Sequence, residues 1–139
     1  MSVTATPIFP QALRNSVQTI LPADASAVKA VLAAGSNGSK VEALNVTSTD
    51  TSARDVTIYV TISATNYLIG TVSIPLNSGN TNSAPSVDIL RSSQLPALAF
   101  DANGNRFLYL ASGSTLSIAC TSTVTTAKQI TVFAQGEDF

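Results

Sequence analysis

The sequence has 139 residues, 45% of them hydrophobic and 11% charged, with a net charge of −1. That is one domain's worth of chain with enough apolar side chains to build a core without disulfides or metal, and it excludes a disordered polymer. Its basic residues (Arg14, Lys29, Lys40, Arg54, Arg91, Arg106 and Lys128) stand singly, so no row of phosphates is matched and no basic amphipathic helix points to a membrane.

Near the start, residues 2–13 contain Thr6-Pro7-Ile8-Phe9-Pro10-Gln11. Proline removes donors and biases its neighbour to extended backbone, so residues 1–13 are expected to form an arm, leaving 14–139 as a single domain. Pro7, Ile8, Phe9 and Pro10 are the candidate partner-binding residues, because two large apolar side chains there need burial, on their own domain or on a neighbour. Strands are expected at Asn15–Leu21 and Ala27–Ala33, separated by Pro22-Ala23-Asp24-Ala25-Ser26. Alanine would also suit a helix in the second segment, but Gly35-Ser36-Asn37-Gly38 follows as a turn. Ser39–Thr49 alternates, with Val41, Ala43 and Asn45 expected on one face and Leu44 and Val46 on the other.

Val56–Ser63 has the strongest pattern. Val56, Ile58, Val60 and Ile62 fall on one face of an extended chain and Thr57, Tyr59, Thr61 and Ser63 on the other. Such a strand needs a second sheet to cover its aliphatic side chains. Asn66–Pro75 follows, with Leu68, Val72 and Ile74 expected on one face and a bulge or close approach at Gly70. The polar run Asn77–Pro85 has no apolar anchor and reads as a mobile or partner-held loop. Val87–Leu90, Arg106–Leu110, Thr115–Thr121 and Gln129–Ala134 complete the strands, with an irregular apolar connection at Gln94–Phe100. Antiparallel packing in two sheets, an all-β sandwich of eight or nine strands, is the natural solution.

The chain has no His, which removes Ser-His-Asp and Cys-His nucleophiles and the common zinc sites. No phosphate-binding or dinucleotide-binding glycine pattern occurs. The acidic residues are set in no recognisable catalytic pair, so no enzymatic activity and no cofactor are expected. Cys120 lies in a strand-like run and reads as a buried structural thiol. Asp101-Ala102-Asn103-Gly104-Asn105 resembles the opening of a calcium loop, but the later ligands are missing, and it reads as a hairpin turn with Asn103-Gly104 at positive φ. With Tyr59, Tyr67 and Tyr109 as its only tyrosines and no Trp, the chain lacks the aromatic platforms of a strong lectin.

Five stretches carry a family resemblance: Thr6–Gln11, Ala34–Lys40, Ser48–Val56, Asp101–Leu110 and Gln135–Phe139. In this order they resemble small virion proteins of tailed bacteriophages, most of all the jelly-roll capsid cement, or decoration, proteins of short-tailed phages. The resemblance implies a small jelly-roll sandwich on the outside of an HK97-like shell, tying neighbouring capsomers together. Its implied partners are the phage major capsid protein and further copies of itself, as a dimer or trimer, with no nucleic acid and no membrane. The implied location is the capsid exterior, after synthesis in the host cytoplasm, since the N-terminus lacks the basic and apolar regions of a signal peptide. A receptor- or glycan-binding module on a phage tail is the alternative. The shared stretches are turns and strand starts, so no catalytic or ligand residues carry over.

Overall fold

The computed structural model describes residues 9–139. They form nine strands: β1 Ala12–Ile20, β2 Lys29–Ala33, β3 Ser39–Ser48, β4 Arg54–Ile62, β5 Thr65–Ile74, β6 Val87–Asp88, β7 Leu108–Leu110, β8 Ser114–Cys120 and β9 Ile130–Asp138. Single 3-10 turns at Pro22–Asp24 and Ile89–Arg91 are the helical elements. One sheet has the order β1-β9-β3-β6, with β7 also on β3, and the other has β2-β8-β4-β5. All pairings are antiparallel. The chain is an all-β sandwich, as the alternation and turn spacing predict.

The pairings nest. β4 pairs with β5, β3 with β6 and β7, β2 with β8, and β1 with β9. One long antiparallel ribbon, folded at the β4–β5 hairpin, therefore wraps into two facing sheets. The two-residue hairpin loop Ser63-Ala64 has φ of 50° and 63°, the double left-handed turn that matches strand twist.

The core lies between the sheets. Ile20, Val41, Leu44, Val46, Ile130, Val132 and Ala134 come from one, and Leu32, Val56, Ile58, Val72, Ile74, Leu116 and Ile118 from the other. Cys120 is free and buried among them, the structural role expected.

Several expectations are corrected. In β4, Val56 and Ile58 are core residues, but Val60 is half-buried and Ile62 is 44% exposed. Burial fades toward the hairpin tip. Thr57, on the opposite face, is buried and shares a hydroxyl–hydroxyl hydrogen bond of 3.1 Å with Thr71. In β3 the register slips between Val41 and Ala43, so Val41 joins Leu44 and Val46 in the core and not Ala43 and Asn45. This bulge requires Gly136 opposite it, since a Cβ there would lie 2.1 Å from the Lys40 carbonyl oxygen. In β5 the expected irregularity at Gly70 is present, with a register shift opposite Ile58/Tyr59, and a Cβ added at Gly70 would lie only 2.2 Å from Leu95 Cδ2. The shift leaves Leu68 outside the core.

Two more segments differ from expectation. Val87–Leu90 is strand only over Val87–Asp88; Asp88 Oδ1 accepts the Leu90 N–H at 3.1 Å and turns the chain. The polar loop after β5 is held by its own domain: the Ser78 carbonyl accepts from Ser48 N at 2.7 Å, and Ser78 Oγ donates to Pro85 O at 2.6 Å.

Candidate interaction surface

The outer face of the first sheet is built in rows across the strands. Leu13 of β1 stands opposite Glu137 of β9, Glu137 opposite Lys40 of β3, and Lys40 opposite Tyr109 of β7. A second row runs Val17, Phe133, Asn45. Side chains alternate along each strand, so both rows point away from the core. Leu13, Val17 and Tyr109 are 88%, 58% and 60% exposed. A shallow groove of about 400 Å³ crosses this face between Leu13, Asn15, Glu42, Ala43 and Gln135.

At one end of this sheet, beginning on its inner side, the separate sequence stretches meet. Asp138 Oδ2 accepts from Arg14 Nη1 at 2.6 Å, and Asp138 Oδ1 accepts from Ser39 Oγ at 2.5 Å. Ser39 Oγ in turn accepts the Gly35 N–H at 2.9 Å. The Ser39 hydrogen bond, reinforced by the Arg14 charge and opposed by burial, holds the Asp138 carboxyl below its ordinary range. Phe139 N donates to Gly38 O at 3.2 Å, and the Tyr109 ring lies between Phe107 at 4.8 Å and Phe139 at 6.0 Å. Lys40 Nζ sits 5.2 Å from the Phe107 ring centre and 2.8 Å from Glu42 Oε1, which raises its pKa. The Ala34–Lys40, Asp101–Leu110 and Gln135–Phe139 stretches thus converge on one corner, and Arg14 ties β1 into it.

The arm expected from the sequence enters at the same corner. Gln11 N donates to Asp138 O at 2.8 Å, and β1 begins at Ala12, earlier than the expected Asn15. Phe9 is 69% exposed and Pro10 is exposed. Pro7 and Ile8 lie outside the described residues. Phe9 therefore leaves most of its ring uncovered by its own domain.

A second apolar surface is not evident from the sequence. The tip of the β4–β5 hairpin exposes Ile62, Tyr67, Leu68 and Ile69 at 44%, 54%, 65% and 38%. Beside it, a groove of about 340 Å³ runs between Leu68 and Ile69 and the segment Gln94–Leu98. The register shift in β5 turns Leu68 outward, and shifts of this kind are hidden from a strict two-residue period. The two surfaces lie at opposite edges of the sandwich. β1 packs over β2 at one edge, and β5 closes the other, beyond β8 and β4.

The Asp101–Asn105 loop forms a turn. Asp101 Oδ1 accepts the N–H groups of Asn105 and Asn103, each at 2.9 Å, and the Asn105 bond leads in lowering the pKa of Asp101. Oδ1 is thus taken up by the backbone, and Oδ2 accepts from Asn105 Nδ2 at 3.5 Å. Gly104 has φ of 79°, but Asn103 does not share the positive φ expected of it. Among the described residues no group of three or more His, Cys, Asp or Glu side chains could hold a metal ion, and no helix is long and apolar enough to cross a membrane.

No protein-family model matches the sequence, and no curated protein matches it.

Proposed function

We propose that this chain is a structural virion protein, a capsid cement or decoration protein that binds the outside of an HK97-like phage shell. The finer reading of the fold as a jelly roll belongs to the same proposal and is supported by the nested pairing of β1–β4 with β5–β9. One observation carries the functional reading: exposed apolar surfaces occupy opposite edges of a firmly braced sandwich. A protein that bridges neighbouring subunits needs a contact on each side and a body that does not yield between them. Leu13, Val17 and the arm residue Phe9 supply one contact; Ile62, Tyr67 and Leu68 supply the other.

The surface chemistry fits a crowded shell. The outer face of the second sheet presents Thr61, Thr71 and Thr115 beside buried Thr57 and Ser117 and hydrogen-bonds within itself, as in Thr61 Oγ1 with Ser117 Oγ at 2.9 Å. Few charges must lose water when such a body is packed against another. The partners proposed are the major capsid protein and other copies of this chain.

The test is co-sedimentation of the purified chain with phage shells that lack it. The proposal requires saturable binding and shells that resist heating better with the chain than without it. Absence of shell binding, together with selective retention on a glycan array, would replace this reading with the tail-module one.

A further inference from the structure

A sandwich has four strand edges, and an uncovered edge is a template for another strand. Three of the four are blunted here. The β2 edge is covered by inward side chains of β1: Arg14 Nη2 donates to Ala33 O at 3.2 Å, Gln18 Nε2 to Ala30 O at 2.8 Å, and Ser16 Oγ to Val31 O. The β5 edge carries a register shift, and Gln94 Oε1 accepts the Ser73 N–H at 3.1 Å. The edge beside β3 is broken into β6, of two residues, and β7, of three.

β1 is different. Its nine residues pair with β9 without a register break, and they include no Pro and no Lys. Thr19 has both backbone groups on the side away from β9: its N–H donates to Gln18 Oε1 at 3.0 Å, and its C=O accepts from Lys29 Nζ at 2.6 Å. Backbone groups alternate sides along a strand, so Leu13, Asn15 and Val17 present theirs on that same free side. Among the described residues nothing bonds to them. All three are exposed.

We infer that β1 pairs antiparallel with β1 of a second copy, about a two-fold axis passing beside Asn15. This makes specific the self-association in the proposed function and rests on that part of it alone. The register follows from charge and polarity. Centring on Asn15 sets Leu13 against Val17 of the second copy, and every outward N–H and C=O of Leu13, Asn15 and Val17 finds a partner. Arg14 then faces Ser16 of the second copy, and its charge is already met at 2.6 Å by Asp138 of its own chain. Centring on Arg14 would oppose two guanidinium groups. Centring on Ser16 would set Leu13 against Thr19, whose backbone groups are already engaged. In the favoured register Leu13 and Val17 of both copies form one apolar cluster on the outer face of a continuous sheet. A single strand edge buries less than the roughly 800 Å² per partner of a standard interface, so the dimer dissociates on dilution.

The experiment uses the whole chain, with sedimentation velocity over a dilution series and circular dichroism to confirm folding. The wild type is expected to pass from dimer to monomer on dilution. Val17→Lys places an ammonium against Leu13 of the second copy and is expected to weaken the dimer about tenfold or more, equivalent to about 1.4 kcal/mol. Tyr109→Lys, on the same face at its far edge, is expected to leave it unchanged. Asn15→Cys supplies a positive test, since paired residues at the axis have Cα atoms about 5.5 Å apart, within disulfide range. Mild oxidation should give a covalent dimer of Asn15→Cys and none of the wild type, whose Cys120 is buried. A wild type that stays monomeric at high concentration, or a dimer indifferent to Val17→Lys and not cross-linked by Asn15→Cys, overturns the inference. Shell binding is measured separately on the same samples. A monomer that binds shells removes only the self-pairing, and a dimer that does not bind them removes only the virion assignment.

Discussion

Arg14 and Asp138 stand 124 positions apart in the sequence and form an ion pair of 2.6 Å between guanidinium and carboxylate. The contact joins the first strand to the last, and through Ser39 it joins both to the turn before β3. It closes the corner from which the arm departs. Asp138 therefore holds the arm's base in place.

Acid should destabilise this protein, and of the carboxylates held below their ordinary range the two that tie distant strands together are Asp50 and Asp138. Asp50 is buried, and burial alone would raise its pKa, but donation from the Thr125 N–H, Arg54, the Thr125 hydroxyl and the Ser52 N–H overcomes this and lowers it strongly. Asp138 is lowered too. A folded-state pKa below the unfolded one means the stabilisation is full above the unfolded value, roughly 3.9, and is lost as pH falls through the folded value. The melting temperature should be flat from neutral pH down to about 5 and fall below about 4. Asp50→Asn should cost on the order of 3 kcal/mol at neutral pH, because Arg54 loses its buried partner, and should flatten the acid limb.

The β4 strand offers a graded test of burial. Ile58→Ala should cost about 2–5 kcal/mol, as a core truncation does. Ile62→Ala, at a position 44% exposed, should cost under about 1 kcal/mol. Equal losses in chemical denaturation would mean that the hairpin tip is covered.

Gly136 and Gly104 separate close approach from backbone strain. A Cβ at Gly136 meets the Lys40 carbonyl at 2.1 Å, whereas at Gly104 it meets nothing within 4 Å. Gly104→Ala should cost about 1 kcal/mol, from its positive φ alone. Gly136→Ala should cost several-fold more or prevent folding, as judged by the denaturation midpoint and soluble yield.

Calcium offers a direct check on the Asp101 loop. Its carboxylate already accepts two backbone N–H groups. Adding calcium or EDTA should leave the melting temperature unchanged; a rise with calcium would restore the loop as an ion site.

These tests probe features of unequal visibility in the sequence. Strand identity is readable wherever polar and apolar residues alternate without interruption, as at Val56–Ile58, and the turns at Gly38 and Gly104 follow local backbone chemistry; Ser63, expected to end the strand, instead opens the hairpin turn with Ala64, at positive φ that neither residue type announces. The two register shifts are harder. Val41 and Leu44 lie three apart and still share the core, because Glu42 is an extra residue, and nothing local to β3 announces that Gly136 stands across from it. Leu68 is misplaced by the same effect in β5, although Gly70 gives a signal. Of the candidate site, the arm is visible as two prolines around two large apolar residues. The hairpin-tip surface is not, because exposure of Ile62 depends on where the facing sheet ends.

Removing residues 1–10 tests the arm. Phe9 is 69% exposed on its own domain, so the truncated chain should keep its melting temperature but attach weakly to shells. If the arm docks on a neighbour, burial of Ile8 and Phe9 there would contribute about 3–6 kcal/mol before the cost of ordering the arm. A large stability loss with normal attachment would place the arm on its own domain.

The most direct measurement is a three-dimensional reconstruction of phage particles assembled in the presence of this chain. The account predicts sandwich-shaped density on the outside of the shell, spanning the boundary between neighbouring capsomers, with the β1 edge or the β4–β5 tip in contact. Density for this chain on the tail alone, or a shell exterior without it, would contradict the assignment.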